Sequence, residues 1–308
     1  MRYFETCGVR VASDVPLSCS EALTEHFVPD VRVRWAERRR VPGYLPDGAD
    51  VLAHCVLPHG YALFRDDAGY VVRFFGTCDF RIATDLGTID VHLAPEAPEE
   101  VAEILLAGNV LTLLLSMRGE HVLHASAVAM RGKTIAFVGG SGMGKSTLAA
   151  RMCVAGGRLV TDDVLRVRVH DDHVECFAGS TELRLRADVG RDFHLPGQFT
   201  RRTTCDGRWA VTPSLHTSRP DPLFAILIPM FRAGLTAPRC ERLSSHGAFI
   251  ALARYPRILG WRDPRIRQQQ FEALGALVER VPVLVAEIPE GAAGSVTLAH
   301  DLCTAVWR

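Results

Sequence analysis

Lysine is nearly missing from this sequence. Of 35 basic residues only Lys133 and Lys145 are lysines, and the rest are arginines. The 35 acidic residues cancel them, so no global charge points to nucleic acid or to an anionic membrane. Cysteine is present at nine scattered positions, but no two of these have Cys-x-x-Cys spacing, which excludes the usual zinc and redox motifs. An odd, widely spaced set predicts reduced, buried thiols and a cytoplasmic location. The opening residues MRYFETCGVR lack a hydrophobic signal core. Long apolar runs are also missing. The most apolar stretch, Val101–Met117, is interrupted by Glu103 and Asn109, and predicts a buried helix rather than a membrane span. There are no repeats and no low-complexity tract.

What is present is enough to fold. The 308 residues are 48% hydrophobic and 23% charged, which allows a sizeable core and argues against disorder. Residues 1–95 carry short apolar runs separated by Gly, Pro and Asp, and predict a β-rich N-terminal domain with a hairpin turn at DDAG, residues 66–69. APEAPEE at 94–100 opens a helix with acids in its first turn. Leu105, Leu106, Val110 and Leu114 carry its apolar spacing and Gly119 ends it, so residues 96–120 read as a connecting helix.

Residues 121–308 read as a second, α/β domain. HVLHASAVAM and KTIAFVGG predict two strands joined by a turn at Arg131–Gly132. A glycine loop follows, then a helix from about Lys145 to Val154, a Gly156–Gly157 stop and a short strand, RLVTDD. LRVRVHDDHVECFAG predicts a hairpin, residues 187–222 a loop-rich stretch, and LFAILIPMF a buried strand. FIALARYPRILG and IRQQQFEALGALVERV are expected to be helical or partly helical, VPVLVAEIP the last strand and SVTLAHDLCTAVWR a closing helix.

One motif carries chemistry. Gly139, Gly140, Ser141, Gly142, Met143, Gly144, Lys145 and Ser146 satisfy G-x-x-x-x-G-K-[ST] at every fixed position, between a strand and a helix. Glycines let successive backbone N–H groups converge on phosphate oxygens, and the following helix, from Lys145 through Ser146 and Thr147, adds its N-terminal partial charge. The Lys145 ammonium is expected to reach the terminal phosphates, and the Ser146 hydroxyl to ligate Mg²⁺. Asp162 and Asp163 follow at the end of RLVT. If that strand lies beside the one feeding the loop, both carboxylates come near the phosphates. Phosphoryl transfer needs a carboxylate for Mg²⁺ and a group to orient the attacking hydroxyl, and adjacent acids can divide those tasks. ATP and Mg²⁺ are therefore the expected cofactors.

Taken together, LHASAV at 123–128, GGSGMGKST at 139–147 and RLVTDD at 158–163 resemble the HPr kinase/phosphorylase family, which carries a Leu-His-Gly strand, a Gly-Asp-Ser-Gly-x-Gly-Lys-Ser loop and an Arg-Leu-Val-x-Asp-Asp strand in that order. The resemblance covers about residues 120–300 and is strong over 120–165. It implies a P-loop core of the phosphoenolpyruvate-carboxykinase-like type, in keeping with the lack of an Asn-Lys-x-Asp or Leu-Ser-Gly-Gly-Gln signature. It also implies that His124 tunes the catalytic carboxylate, that Asp162 and Asp163 supply the general base and a metal contact, and that the protein is a homo-oligomer. Glu182-Leu183-Arg184 resembles the family's Glu-Ile-Arg, whose Glu helps bind metal. The candidate metal ligands are thus Ser146, Asp163 and Glu182, and the candidate catalytic residues Asp162, Asp163, His124 and Lys145.

The departures matter as much. The family's longer Glu-Ile-Arg-Gly-Leu-Gly is replaced by Glu182-Leu183-Arg184-Leu185-Arg186, which puts HPr as substrate and the phosphorylase activity in question. The His-Ala-Ser-Ala-Val form is closer to HPr-kinase-like enzymes of natural-product clusters, notably lasso-peptide tailoring kinases, which phosphorylate a serine hydroxyl of a peptide. Arg184, Arg186, Arg201, Arg202, Arg208, Arg254 and Arg257 form a set from which at least one is expected to assist the phosphoryl group. Three readings follow: a kinase for a serine of a peptide or protein, a kinase for a sugar or antibiotic hydroxyl, and a nucleotide-binding switch without transfer.

Overall fold

The computed structural model describes residues 1–21, 28–57, 60–187, 199–217, 219–291 and 297–306. The chain is α/β, with mixed sheets and few helices, and it divides into two compact units. The first comprises Met1–Gly119 with Ile258–Phe271, and the second Glu120–Arg257 with Glu272–Arg308. The segment after Arg257 therefore returns to the first unit, and the helix Pro264–Arg280 runs across the division.

In the first unit, nine strands form one sheet: β1 (Arg2–Thr6), β2 (Val9–Ser13), β3 (Ser20–Glu21), β4 (Val31–Trp35), β5 (Asp50–Cys55), β6 (Tyr61–Asp66), β7 (Gly69–Phe74), β8 (Cys78–Ala83) and β9 (Thr88–Leu93). Their order is β3-β1-β2-β4-β9-β8-β7-β6-β5. The DDAG turn joins β6 to β7, with Asp66 opposite Gly69. Alternation sets the register: in β9 Ile89, Val91 and Leu93 are buried while the residues between them are half-buried. Arg73 and Asp79 lie opposite each other on β7 and β8 and make a bidentate pair at 2.8 and 2.9 Å, so two buried charges satisfy one another. The strand β5 would be a sheet edge, but the returning segment covers it. Ala53 bridges Trp261, the His54 amide donates to Gly260 O at 2.9 Å, and the Arg262 amide donates to Leu52 O at 2.7 Å.

The helix foreseen at 96–120 runs Glu99–Leu105, a π-helical turn Leu106–Val110, then Leu111–Met117. It belongs to the first unit. By length and composition it is the one helix among the described residues that could cross a membrane, yet half of its apolar window is buried in the fold. Every residue from Leu111 to Ser116 is buried, as in a core helix.

The second unit is built on a sheet ordered β10-β14-β15-β19-β12-β11-β13. Its strands are β10 (His121–Leu123), β11 (Ala125–Met130), β12 (Lys133–Val138), β13 (Arg158–Thr161), β14 (Leu165–Val169), β15 (Val174–Cys176) and β19 (Asp221–Arg232). β21 (Val283–Pro289) pairs with β19, and β20 (Arg239–Arg242) with β21. A smaller sheet joins β16 (Leu183–Leu185), β18 (Trp209–Pro213) and β17 (Phe199–Thr203). The helix Lys145–Val154 packs Leu148, Ala149, Met152 and Cys153 into the core with Ile135, Phe137 and Leu227, all of them essentially inaccessible. Each such side chain contributes about 1.5–3 kcal/mol when of Leu, Ile or Phe size. Burial pushes the Cys153 and Cys176 thiols up to about 12, so both are protonated packing groups.

Three expectations are corrected. HVLHASAVAM is not one strand, because the chain breaks at His124: β10 pairs with β14, and β11 with β12 and β13. β13 does not lie beside β12, because β11 runs between them, antiparallel to both. The 187–222 stretch contains the β17–β18 hairpin, while residues 188–198 and 218 lie outside the described residues. FIALARYPRILG is partly helical, as expected: its helix, Ser245–Ala253, stops before Pro256, where the ring removes a donor and disfavours helical geometry in the preceding residue.

Candidate active site

The glycine loop lies between the end of β12 and the helix Lys145–Val154. Gly142 and Gly144 have φ of +86° and +82°, a left-handed geometry open to glycine at little cost. At Gly144 space is also restrictive, since an added Cβ would lie 2.9 Å from the Phe231 ring. Gly144 caps the helix without any side-chain hydrogen bond, so no side chain in the cap satisfies the helix's first N–H groups. The buried Lys145 ammonium donates to Gly139 O at 2.9 Å and Gly140 O at 3.2 Å, and the Gly140 amide donates to Met143 Sδ at 2.9 Å. Ser141 is exposed on the rim, while Ser146 and Thr147 are half-buried in the first helical turn. Burial pushes the Lys145 pKa down, and Asp163 and then Asp162 oppose that shift.

The two acids leave β13 in different directions. Asp163 adopts φ +71°, which turns the chain sharply between two adjacent carboxylates. Asp162 is only 4% exposed and is ringed by donors. Ser126 Oγ donates to Oδ1 at 2.5 Å, Ser146 Oγ to Oδ1 at 2.9 Å and the Arg184 amide to Oδ2 at 2.8 Å. Burial raises its pKa against the pull of these hydrogen bonds. The Asp163 side chain is 43% exposed and meets ring and guanidinium nitrogens instead, with His124 Nε2 at 3.0 Å from Oδ1 and Arg257 Nη2 at 2.7 Å from Oδ2. Burial opposes its charge, but Arg257, the His124 hydrogen bond and Lys145 outweigh that and hold the carboxyl well below the usual range.

Of the residues singled out in the sequence, the structure brings Lys145, Ser146, Asp162, Asp163 and His124 to one end of the sheet, around the loop. Glu182 sits elsewhere in the contact network. Its carboxylate pairs with Arg202 at 3.1 Å. Among the described residues, no group of three or more His, Cys, Asp or Glu side chains is placed to hold a metal. A metal in this site would therefore draw on hydroxyl and phosphate oxygens besides carboxylate, the hard donor set that suits Mg²⁺.

Two residues escaped the sequence reading. Ser126, on β11, is completely buried and bonds the acid at the end of the neighbouring strand. The Arg184 backbone amide fixes the other oxygen of the same carboxylate. The HASAV run held the signal for Ser126, since a polar residue in an otherwise apolar strand needs a partner. Nothing local signals a backbone amide.

No protein-family model matches the chain, and no curated protein matches it. Among solved structures, the HPr(Ser) kinase/phosphatase from Coxiella burnetii aligns with 61% of this chain and 99% of its own, at 10% identity and a TM-score of 0.33. At that score the likeness carries no argument, and the site is read from its own geometry.

Proposed function

We propose that this chain is an ATP- and Mg²⁺-dependent kinase whose acceptor is a hydroxyl, that of a serine in a peptide or protein substrate. The observation that carries the reading is the 2.9 Å contact between Ser146 Oγ and Asp162 Oδ1. It joins the last residue of the phosphate loop to the first of the paired acids, and these are the two protein groups that share a Mg²⁺ ion in nucleotide-binding loops. The residues present fit the nucleotide in three further ways. A buried ammonium lies within the loop, a helix start has no side-chain cap, and a buried carboxylate has a charge that a divalent cation would offset.

When bound, ATP with Mg²⁺ supplies the transferable phosphoryl group and screens its charge. Lys145 exchanges the Gly139 and Gly140 carbonyls for phosphate oxygens. Ser146 and Asp162 hold the cation side. Asp163, held ionised and partly open to solvent, orients the acceptor hydroxyl and takes its proton late in the transfer, with His124 and Arg257 fixing both carboxylate oxygens. A loose transition state asks little of a base, so a weakly basic aspartate suffices. A P-loop core of the HPr kinase/phosphoenolpyruvate-carboxykinase-like type and a homo-oligomeric assembly belong to the same reading and rest on the order of the three motifs; a cytoplasmic location rests on the scattered cysteines.

The test is to incubate the full chain with ATP, Mg²⁺ and serine-containing peptides, and to read peptide mass. A gain of one phosphate that disappears in Asp163→Asn is expected. ATP turnover that needs a sugar and no peptide would replace the peptide acceptor by a small molecule. Nucleotide binding with no turnover, indifferent to Asp163→Asn, would reduce the protein to a switch.

A further inference from the structure

The arginines singled out in the sequence separate by what they already bind. Arg184 pairs with Asp206 at 2.5 Å, Arg208 with the same carboxylate at 3.5 Å, Arg202 with Glu182 at 3.1 Å and Arg257 with Asp163 at 2.7 Å. Each of these guanidinium groups has a carboxylate that fixes its position and offsets its charge. Arg186 differs. It follows β16 directly, two residues beyond the amide that holds Asp162, and among the described residues its side chain has no hydrogen bond or ion pair.

Its guanidinium is nevertheless placed. Nη2, Cζ and Nη1 lie 3.5, 3.6 and 3.6 Å from where a Cβ on Gly142 would sit, so the planar group lies flat over the middle of the glycine loop. Gly142 has no side chain to push it away, and its φ of +86° is set by the loop. An exposed guanidinium with all five donors uncommitted, held against a phosphate-binding loop, is a preformed half of a bidentate phosphate contact. It lies over the loop that Lys145 spans from within, so a phosphate seated there would meet cations from both sides.

We propose that Arg186 is a phosphate-contacting residue, donating to the terminal phosphate of a bound nucleoside triphosphate. The inference rests on the nucleotide-binding reading above and adds a residue and a selectivity to it. If the contact is to the terminal phosphate, Arg186 helps the site tell a triphosphate from a diphosphate. A diphosphate lacks the group that Arg186 holds, and leaves the guanidinium in water as it is now.

The test uses the full-length protein and calorimetric titration with ATP and with ADP, both with Mg²⁺, on the wild type, Arg186→Met and Arg186→Lys. Thermal unfolding checks that all three are folded, as expected for an exposed side chain. Loss of a charge-assisted bidentate contact should weaken ATP binding of Arg186→Met by about tenfold or more and leave ADP binding within about twofold. Arg186→Lys should recover part of the ATP affinity, since the charge returns without the planar fork. The proposal is overturned if ATP affinity is unchanged in Arg186→Met, or if ATP and ADP weaken equally, which would place Arg186 on the loop's shape or on the inner phosphates. Failure of the wild type to bind either nucleotide would overturn the underlying reading together with this one, and is separately visible in the first titration.

Discussion

At Asp162 a buried carboxylate accepts from two hydroxyls and a backbone amide, so each donor matters more than it would at the surface. Ser126→Ala removes one of these donors from a fully buried position. Such a change should cost about 1–3 kcal/mol, measured as a lower urea midpoint with the denaturant slope unchanged. Asp163 next door plays a different part: it is half-open, and its partners are the His124 ring and the Arg257 guanidinium. Asp163→Asn keeps the size and loses the charge that His124 and Arg257 face. Phosphotransfer should fall by about 10²–10⁴-fold, while ATP affinity, read by calorimetry, stays within about threefold. A comparable loss of binding would move Asp163 from the chemistry to the nucleotide contacts.

Among the elements, the loop and its helix were the most legible in the sequence, because each fixed position answers one physical demand. Gly144 shows this well, since it needs both a left-handed backbone and the absence of a Cβ against Phe231. Gly144→Ala should destabilise the fold by about 1–2 kcal/mol from backbone strain alone and weaken nucleotide binding strongly. Gly144→Ala/Phe231→Ala removes the overlap but not the strain, so it should recover only part of the stability. The placing of β11 between β12 and β13 was not legible, because strand order is a long-range property and both alternatives bury the same apolar residues. β17 was missed for a different reason: four of its five residues are exposed, so FTRRT shows no alternation.

Electrostatics at the ends of elements in the first unit gives a pH test away from the site. Arg10 clamps Asp30, just before β4, with Nη2 at 2.9 Å from Oδ1 and its own amide at 2.9 Å from Oδ2. The hydrogen bond from Arg10 lowers the Asp30 pKa beyond what burial takes back. A depressed folded-state value means that the stabilisation is complete above the ordinary aspartate value of 3.8 and is lost as pH falls through the folded value. Asp30→Asn should therefore lower the melting temperature at pH 7, and the gap to wild type should close progressively below pH ~4. A gap that persists at low pH would mean that the carboxylate charge is not what matters.

For the molecule as a whole, the informative fact is that the chain leaves the first unit at Gly119 and comes back to it from Ile258 to Phe271. Sequence patterning suggested a domain over 1–95, a connecting helix over 96–120 and a second domain over 121–308, because local periodicity carries no trace of a distant segment's return. The consequence is physical. In a fragment ending at Gly119, β5 would lose the Trp261 bridge, the His54 bond to Gly260 O and the Arg262 and Asp263 amide bonds to Leu52 O, and would present an unpaired edge carrying Val51, Leu52 and Ala53. Residues 1–119 expressed alone should therefore elute as soluble aggregate, or show weak amide protection in β5 and β6. The same fragment followed by a flexible linker and residues 258–271 should elute as a monomer, with protection restored at the His54 amide and gained at the Arg262 amide. If the short fragment is monomeric and fully protected, the returning segment is a passenger on the sheet and not part of its edge.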